Sequence, residues 1–224
     1  MPQRPLPQRI LVFSRTNGFR HASIEAGIAA MRELAASVDV EVETTEDPAA
    51  FTDASLEAFG ATVWLSTSGT VLDDDQRAAF RRSVEGGAGY LGIHSASNTE
   101  YEWPWYGQLV GTWFDEHPEV QAATVEVVDR DHPATAHLPE VWPRVDEWYD
   151  FVAPPRADAR VLAKVDESSY VGGAMGSDHP LVWCHDREGG RSFYTAMGHT
   201  DESFSEEPFR QHLLGALQWV LHRA

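Results

Sequence analysis

The sequence predicts an α/β fold with a mostly parallel central sheet and extra strands in its second half. Three observations predict it. Short apolar runs alternate with helix-period segments as far as His94, the pattern of strand–crossover–strand units. The chain has 224 residues, 42% of them hydrophobic, which suits one sizeable core better than two. Polar loops follow the apolar runs on their carboxyl sides, where ligands of such sheets bind.

Arg9-Ile-Leu-Val-Phe-Ser14 is a continuous apolar run, suited to a central strand. A loop through Thr16-Asn-Gly-Phe-Arg-His21 leads to a helix starting near His21, with Ile24, Ile28, Met31 and Ala35 on its buried stripe. Val38 to Thr44 alternates apolar with polar and predicts a strand near the sheet edge. Thr52 caps a short helix that Gly60 ends. Ala61 to Ser66 is a third strand, followed by the loop Ser68-Gly69-Thr70. Asp73, Asp74 and Asp75 open the next helix, where the dipole favours negative charge.

The fourth strand, Ala88 to Ile93, runs into Gly92-Ile93-His94-Ser95-Ala96. That segment has the spacing of a nucleophile elbow, in which a strand turns sharply and lifts one side chain above the sheet. The lifted residue is an imidazole rather than a hydroxyl or a thiol. In the second half, Val120 to Val128 and Arg160 to Val165 read as strands. Pro180 to His185 and Arg191 to Met197 form a hairpin around Glu188-Gly189-Gly190. A last helix has Pro208 in its first turn and Phe209, Leu213, Ala216, Leu217, Val220 and Leu221 inward. Residues 1–8 predict a disordered tail and residues 9–224 a single domain.

Composition removes several functions. The formal charge of −18 disfavours nucleic acid, anionic membranes and polyanionic substrates. The single cysteine, Cys184, permits no internal disulfide. The amino terminus lacks the apolar core of a signal peptide, and no apolar run reaches membrane-spanning length, so a cytoplasmic protein is expected. There is no phosphate loop and no dinucleotide fingerprint, hence no nucleotide cofactor. No H-E-x-x-H or paired C-x-x-C occurs, but dispersed histidines remain able to gather around a divalent metal such as zinc.

His94 is the leading candidate, because its turn sits at the site-forming edge and an imidazole can move a proton or bind a metal. His21 and His199 lie in loops that reach the same edge, and His117 is held extended before Pro118. Together His21, His94, His117 and His199 are the candidate metal ligands. Glu147, among Trp142, Trp148 and Tyr149, would have a raised pKa if buried, making it a usable acid/base. The catalytic candidates are therefore His94, Glu147 and His199. Substrate-binding candidates are His21, Ser95, Asn98, Trp113, His117 and Asp150. The aromatic set from Tyr101 to Phe114 offers rings for the C–H face of a sugar. His132, His137, His179, His185, His212 and His222 read as solvent, turn or strand-surface residues.

Several motifs taken together resemble the ThuA-like (trehalose utilisation A-like) family. They are Gly18-Phe19-Arg20-His21, Gly92-Ile93-His94-Ser95-Ala96, Gly111-Thr112-Trp113-Phe114, Asp131-His132-Pro133, Asp146-Glu147-Trp148-Tyr149 and Phe193 to Thr200. The resemblance spans about Arg9 to Leu221. It implies a class I glutamine amidotransferase-like, flavodoxin-like three-layer sandwich and a role in disaccharide catabolism, on sugars oxidised by a partner dehydrogenase. A glutaminase needs a thiolate where His94 stands, so amide hydrolysis is not expected.

The expected activity is acid/base isomerisation, epimerisation or elimination on a keto-sugar, with metal assistance an option. The rivals are a non-catalytic sugar-binding or regulatory protein and a metal-dependent hydrolase. The expected partners are a small sugar or keto-sugar and a second copy of the chain in a homo-oligomer.

Overall fold

The structure, a computed structural model, describes residues 6–223. Its described residues form one nine-stranded sheet in the order β2-β1-β3-β4-β9-β8-β7-β5-β6. The strands are β1 (Arg9–Phe13), β2 (Glu41–Thr45), β3 (Ala61–Leu65), β4 (Gly89–Ile93), β5 (Gln121–Val127), β6 (Val141–Asp146), β7 (Arg160–Asp166), β8 (Pro180–His185) and β9 (Ser192–Thr195). The helices are α1 (Ile24–Ala36), α2 (Asp53–Leu56), α3 (Asp74–Glu85), α4 (Pro104–Val110) and α5 (Glu207–Val220).

The expectation of a mostly parallel sheet needs correcting. The junctions from β2 through β9 are parallel, and the junctions from β9 to β6 are antiparallel. The cause is the expected β8–β9 hairpin, which returns β9 parallel to β4 while sending β8 the other way. Beyond β8 the strands continue to alternate in direction. The first half therefore supplies the parallel, buried sheet, and the second half widens it.

Helices cover both faces. Trp64 of β3 packs on Phe80 of α3 and Tyr106 of α4, with ring centroids 5.1 and 5.0 Å away. On the other face α1 and α5 lie side by side. Gly27 lets α1 come down onto the sheet, since a Cβ there would stand 2.9 Å from the methyls of Leu65. Asp73 caps α3, accepting from Gln76 N while Gln76 returns a bond to Asp73 N, so the acidic start was correctly placed. Helix α1 begins at Ile24, three residues later than expected, which leaves His21 in the loop. Helix α4 emerges from an aromatic run whose crowding hid its period, with Pro104 in its first turn.

Of the expected tail, residues 1–5 lie outside the described residues; Gln8 O accepts from Glu41 N and so extends the sheet edge. Among the described residues no helix is long and apolar enough to cross a membrane.

Four histidines read from sequence as surface or turn residues are buried: His132, His179, His185 and His212. Three of them spend a ring nitrogen on a carbonyl. His179 donates to Tyr149 O, His185 to Leu109 O and His212 to Ala134 O, each at 2.8 Å. His132 lies against the Trp219 ring, 5.1 Å away.

Candidate functional site

The loops after β1, β3 and β4 meet at the carboxyl edge of the parallel half. Thr16 bridges to Ser68, and Gly69 bridges to Thr99. Buried Glu100 ties the ends together, accepting from Val71 N and Leu72 N at 2.8 Å and pairing with Arg77.

The elbow forms where expected. His94 takes a left-handed φ of 53°, which is costly for a residue with a Cβ and requires support. Tyrosine hydroxyls supply that support. Tyr194 of β9 donates to His94 O and Tyr106 of α4 donates to Ala96 O, each at 2.8 Å. The ring of His94 is fully buried, and its Nδ1–H donates to Ala196 O at 2.7 Å. That bond fixes the tautomer and leaves the Nε2 lone pair facing the site.

Three other side chains converge on that lone pair. His21 Nε2 is 3.1 Å away, His199 Nδ1 is 3.2 Å away and Glu147 Oε2 is 3.4 Å away. Glu147 Oε2 is also 3.1 Å from His199 Nδ1 and 4.0 Å from His21 Nε2. All four donor atoms lie within 4.8 Å of one another. A tetrahedral site with metal–nitrogen bonds of about 2.0–2.1 Å has ligand–ligand edges of about 3.3 Å. Three imidazoles and a carboxylate at these separations fit a divalent cation of the zinc type.

The electrostatics agree with a ligand set. Burial, then the neighbouring His94 and His199, lower His21 to about 3, so its ring is neutral. For Glu147, desolvation pushes the pKa up, but hydrogen bonds to His199 and His94 outweigh it and hold the group well below the usual carboxylate range. This overturns the expectation of a raised pKa: the histidines, not the aromatic rings, set its charge. The bond to Glu147 raises His199.

Beside the cluster stand two groups with a different character. Tyr149 stacks on His94 at 4.5 Å, with its hydroxyl 3.0 Å from His94 Nε2. Burial, reinforced by Glu147, keeps that phenol protonated well above its ordinary range. His117 is 39% exposed, and its Nδ1 faces two acceptors, Glu147 Oε1 at 3.1 Å and Pro118 O at 2.9 Å. Nδ1 therefore carries the proton, and Nε2 is the basic atom.

The remaining sequence candidates are placed differently. Ser95 Oγ lies 3.3 Å from His21 Nδ1 and orients that ring. Asn98 Oδ1 meets the Tyr101 hydroxyl at 3.0 Å, outside the cluster. Trp113 packs over Gly107 and gives its N–H to Thr99 O, so its polar atom is already used. Asp150, expected at the substrate, is buried elsewhere. Its carboxylate accepts from Ala174 N and lies 3.9 Å from His179 Nδ1, while the preceding residue, Tyr149, faces His94. Sequence reasoning missed Tyr149 and Asp146. Asp146 is fully buried and accepts main-chain N–H groups from Glu147, Gly198 and His199, each at 3.0 Å. The run Asp146-Glu147-Trp148-Tyr149 carried the signal, since residues flanking a candidate acid are natural supports for it.

Cys184 lies on β8, and burial pushes its thiol up to about 12, so it is no nucleophile.

Comparison with known proteins agrees with this architecture. No curated protein matches the chain at a significant level. Among solved structures, a ThuA-like protein of Bacteroides uniformis ATCC 8492 matches with a TM-score of 0.82 at 25% identity, over 96% of this chain and 91% of that one. A ThuA-like protein of Parabacteroides merdae ATCC 43184 matches with a TM-score of 0.79 at 17% identity, over 96% and 90%. Cytoplasmic protein STM3548 of Salmonella typhimurium shares the fold with a TM-score of 0.68 at 12% identity, over 94% and 98%. The sequence profile of the ThuA family, described as trehalose utilisation, covers residues 9–220, and the chain belongs to that family.

Proposed function

We propose that the protein is a metal-assisted acid/base enzyme acting on an oxidised sugar, a keto-glycoside of disaccharide catabolism, in the cytoplasm. The observation that carries this reading is the convergence of His21 Nε2, His94 Nε2, His199 Nδ1 and Glu147 Oε2 at one largely buried point of the sheet's carboxyl edge. The family's link to trehalose utilisation supports the carbohydrate class, and the charge of −18 suits a neutral sugar rather than a phosphorylated one.

The four ligands would hold a divalent cation, which supplies Lewis-acid polarisation of a sugar carbonyl. A ketone acidifies the C–H beside it. In this reading His117 Nε2 takes that proton, with Glu147 holding the opposite nitrogen. The Tyr149 hydroxyl, kept protonated by burial, gives a proton to a departing or developing oxygen in this reading. Removal by one group and return by the other yields elimination or isomerisation without a nucleotide. In this reading His94, Glu147 and His199 bind and orient, and the proton work passes to His117 and Tyr149.

The test is metal analysis with turnover. The purified protein should hold about one equivalent of divalent metal, convert 3-keto-trehalose, and lose activity to a chelator reversibly. His94→Ala should lose both metal and turnover. Full turnover by metal-free protein overturns the reading, and so does binding of the keto-sugar without conversion.

A further inference from the structure

Phe19 is 65% exposed, two residues before a member of the four-ligand cluster. Single exposed apolar residues are ordinary on protein surfaces. This one sits on a backbone that is tied down. Ser68 Oγ donates to Phe19 O at 2.7 Å, Asn17 N donates to Ser68 O at 2.8 Å, and the Asn17 amide donates to Thr70 O. Gly18 lies so close to Ser68 that a Cβ there would stand 3.2 Å from its Oγ. The backbone of the loop after β1 is thus clamped onto the loop after β3, and the clamp presents a large ring to solvent instead of burying it.

The ring stands at the site. Its centroid is 4.8 Å from that of His21, edge-on at 80°. The adjoining cation is spent: Arg20 pairs with Glu46 at 2.8 Å and reaches Glu25 at 3.5 Å. An apolar platform beside a neutralised arginine suits an uncharged ligand that offers an apolar face and a polar edge. A pyranose has that shape, with axial C–H bonds on its faces and hydroxyls around its rim.

We infer that Phe19 forms a sugar-binding platform at the mouth of the cluster, stacking on the C–H face of a neutral pyranose and contributing affinity rather than chemistry. The inference rests on the carbohydrate reading above but not on its catalytic step. Phe19 acts by contact area, so another large ring should serve in its place, while a small side chain should not.

The test is calorimetric binding of 3-keto-trehalose to wild-type, Phe19→Ala and Phe19→Trp proteins, with bound metal and product measured on each. Binding should weaken about fivefold to tenfold in Phe19→Ala and return in Phe19→Trp, with metal content unchanged in both. Equal affinity in wild type and Phe19→Ala overturns the platform, as does no binding to wild type or no rescue by Trp. Loss of metal in Phe19→Ala also overturns it, since Phe19 would then serve to hold His21. Binding that follows the expected pattern without any product leaves the platform standing and removes the catalytic reading instead.

Discussion

The carboxylate of Asp146 accepts the main-chain N–H of His199 at 3.0 Å, across a separation of more than fifty residues in the chain. The same Oδ1 takes the N–H of Glu147, and Oδ2 takes that of Gly198, where φ is 117°. One buried carboxylate therefore sets where two of the four cluster ligands begin. Its charge is answered by Arg144, whose Nη2 lies 3.1 Å from Oδ2 and whose Nη1 reaches Glu206.

Replacing Asp146 by Asn keeps one acceptor and turns the other into a donor aimed at main-chain N–H groups. The expected result is a loss of about 10–100-fold in affinity for zinc, the usual consequence of removing a group that orients ligands. Arg144 retains Glu206 and Ser203, so the fold should persist. Competition with a chromogenic chelator reads the affinity, and circular dichroism reads the fold. Unchanged affinity in a folded variant would show that Asp146 serves only the scaffold.

His117 and Tyr149 should separate kinetically from the cluster. His117→Gln and Tyr149→Phe each leave His21, His94, Glu147 and His199 intact, so both variants should still bind metal. Each should lower kcat by about 10²-fold or more, the ordinary contribution of a positioned proton-transfer group. If Tyr149→Phe matches wild type in kcat, the phenol is a packing surface for His94 and the acid lies elsewhere.

A third expectation concerns the wall behind Tyr149. His179 is fully buried, donates from Nε2 to Tyr149 O, and lies with Nδ1 2.8 Å from Glu167 Oε1. Glu167 Oε1 also accepts from Met175 N and Gly176 N at 2.8 Å each. Both ring nitrogens face acceptors, so the pair works as a buried hydrogen-bonded unit that ties the 174–179 loop to the segment carrying Tyr149. Removing the ring leaves the buried Tyr149 carbonyl without its donor, and an unsatisfied buried group costs about 1–3 kcal/mol. His179→Ala should therefore lower stability by that order in urea titration. A cost under about 1 kcal/mol would mean that the loop is held by its main-chain bonds alone.

Much of this was legible in the sequence, and the divide has a physical basis. The elbow at His94 could be read because a buried strand ending in small residues constrains the backbone locally. His21, His117, His199 and Glu147 could be named because polar residues next to strand ends point to one edge. Their distances could not be read, since β9 reaches β4 only through pairing across a hundred residues. The direction of the Glu147 pKa shift is hidden for the same reason: its aromatic neighbours are adjacent in sequence, whereas the two histidines that set its charge, His94 and His199, arrive from other loops. The buried histidines on β8 and α5 were missed because a satisfying carbonyl, such as Ala134 O for His212, leaves no local signature.

That last residue gives a prediction about acid stability. His212 is packed among Phe209, Phe193 and Trp142, with Nδ1–H bonded to Ala134 O and Nε2 without a partner. Burial lowers it to about 3 from an ordinary value of 6.5. The unfolded chain therefore binds a proton that the folded chain refuses at any pH between these values. Its contribution to stability is complete above about pH 6.5 and is lost progressively as pH falls toward 3. At pH 5 the loss is about 2 kcal/mol for this one group, out of a typical total of about 5–15. His132, lowered to about 4 by burial, adds in the same direction. His212→Asn keeps a donor near Ala134 O and removes the titration, so its stability should fall less steeply between pH 7 and pH 5, by about 2 kcal/mol. Urea titrations at the two pH values measure the difference. Parallel losses in variant and wild type would mean that His212 is protonated in the folded state, which needs an acceptor at Nε2 that the surrounding rings do not offer.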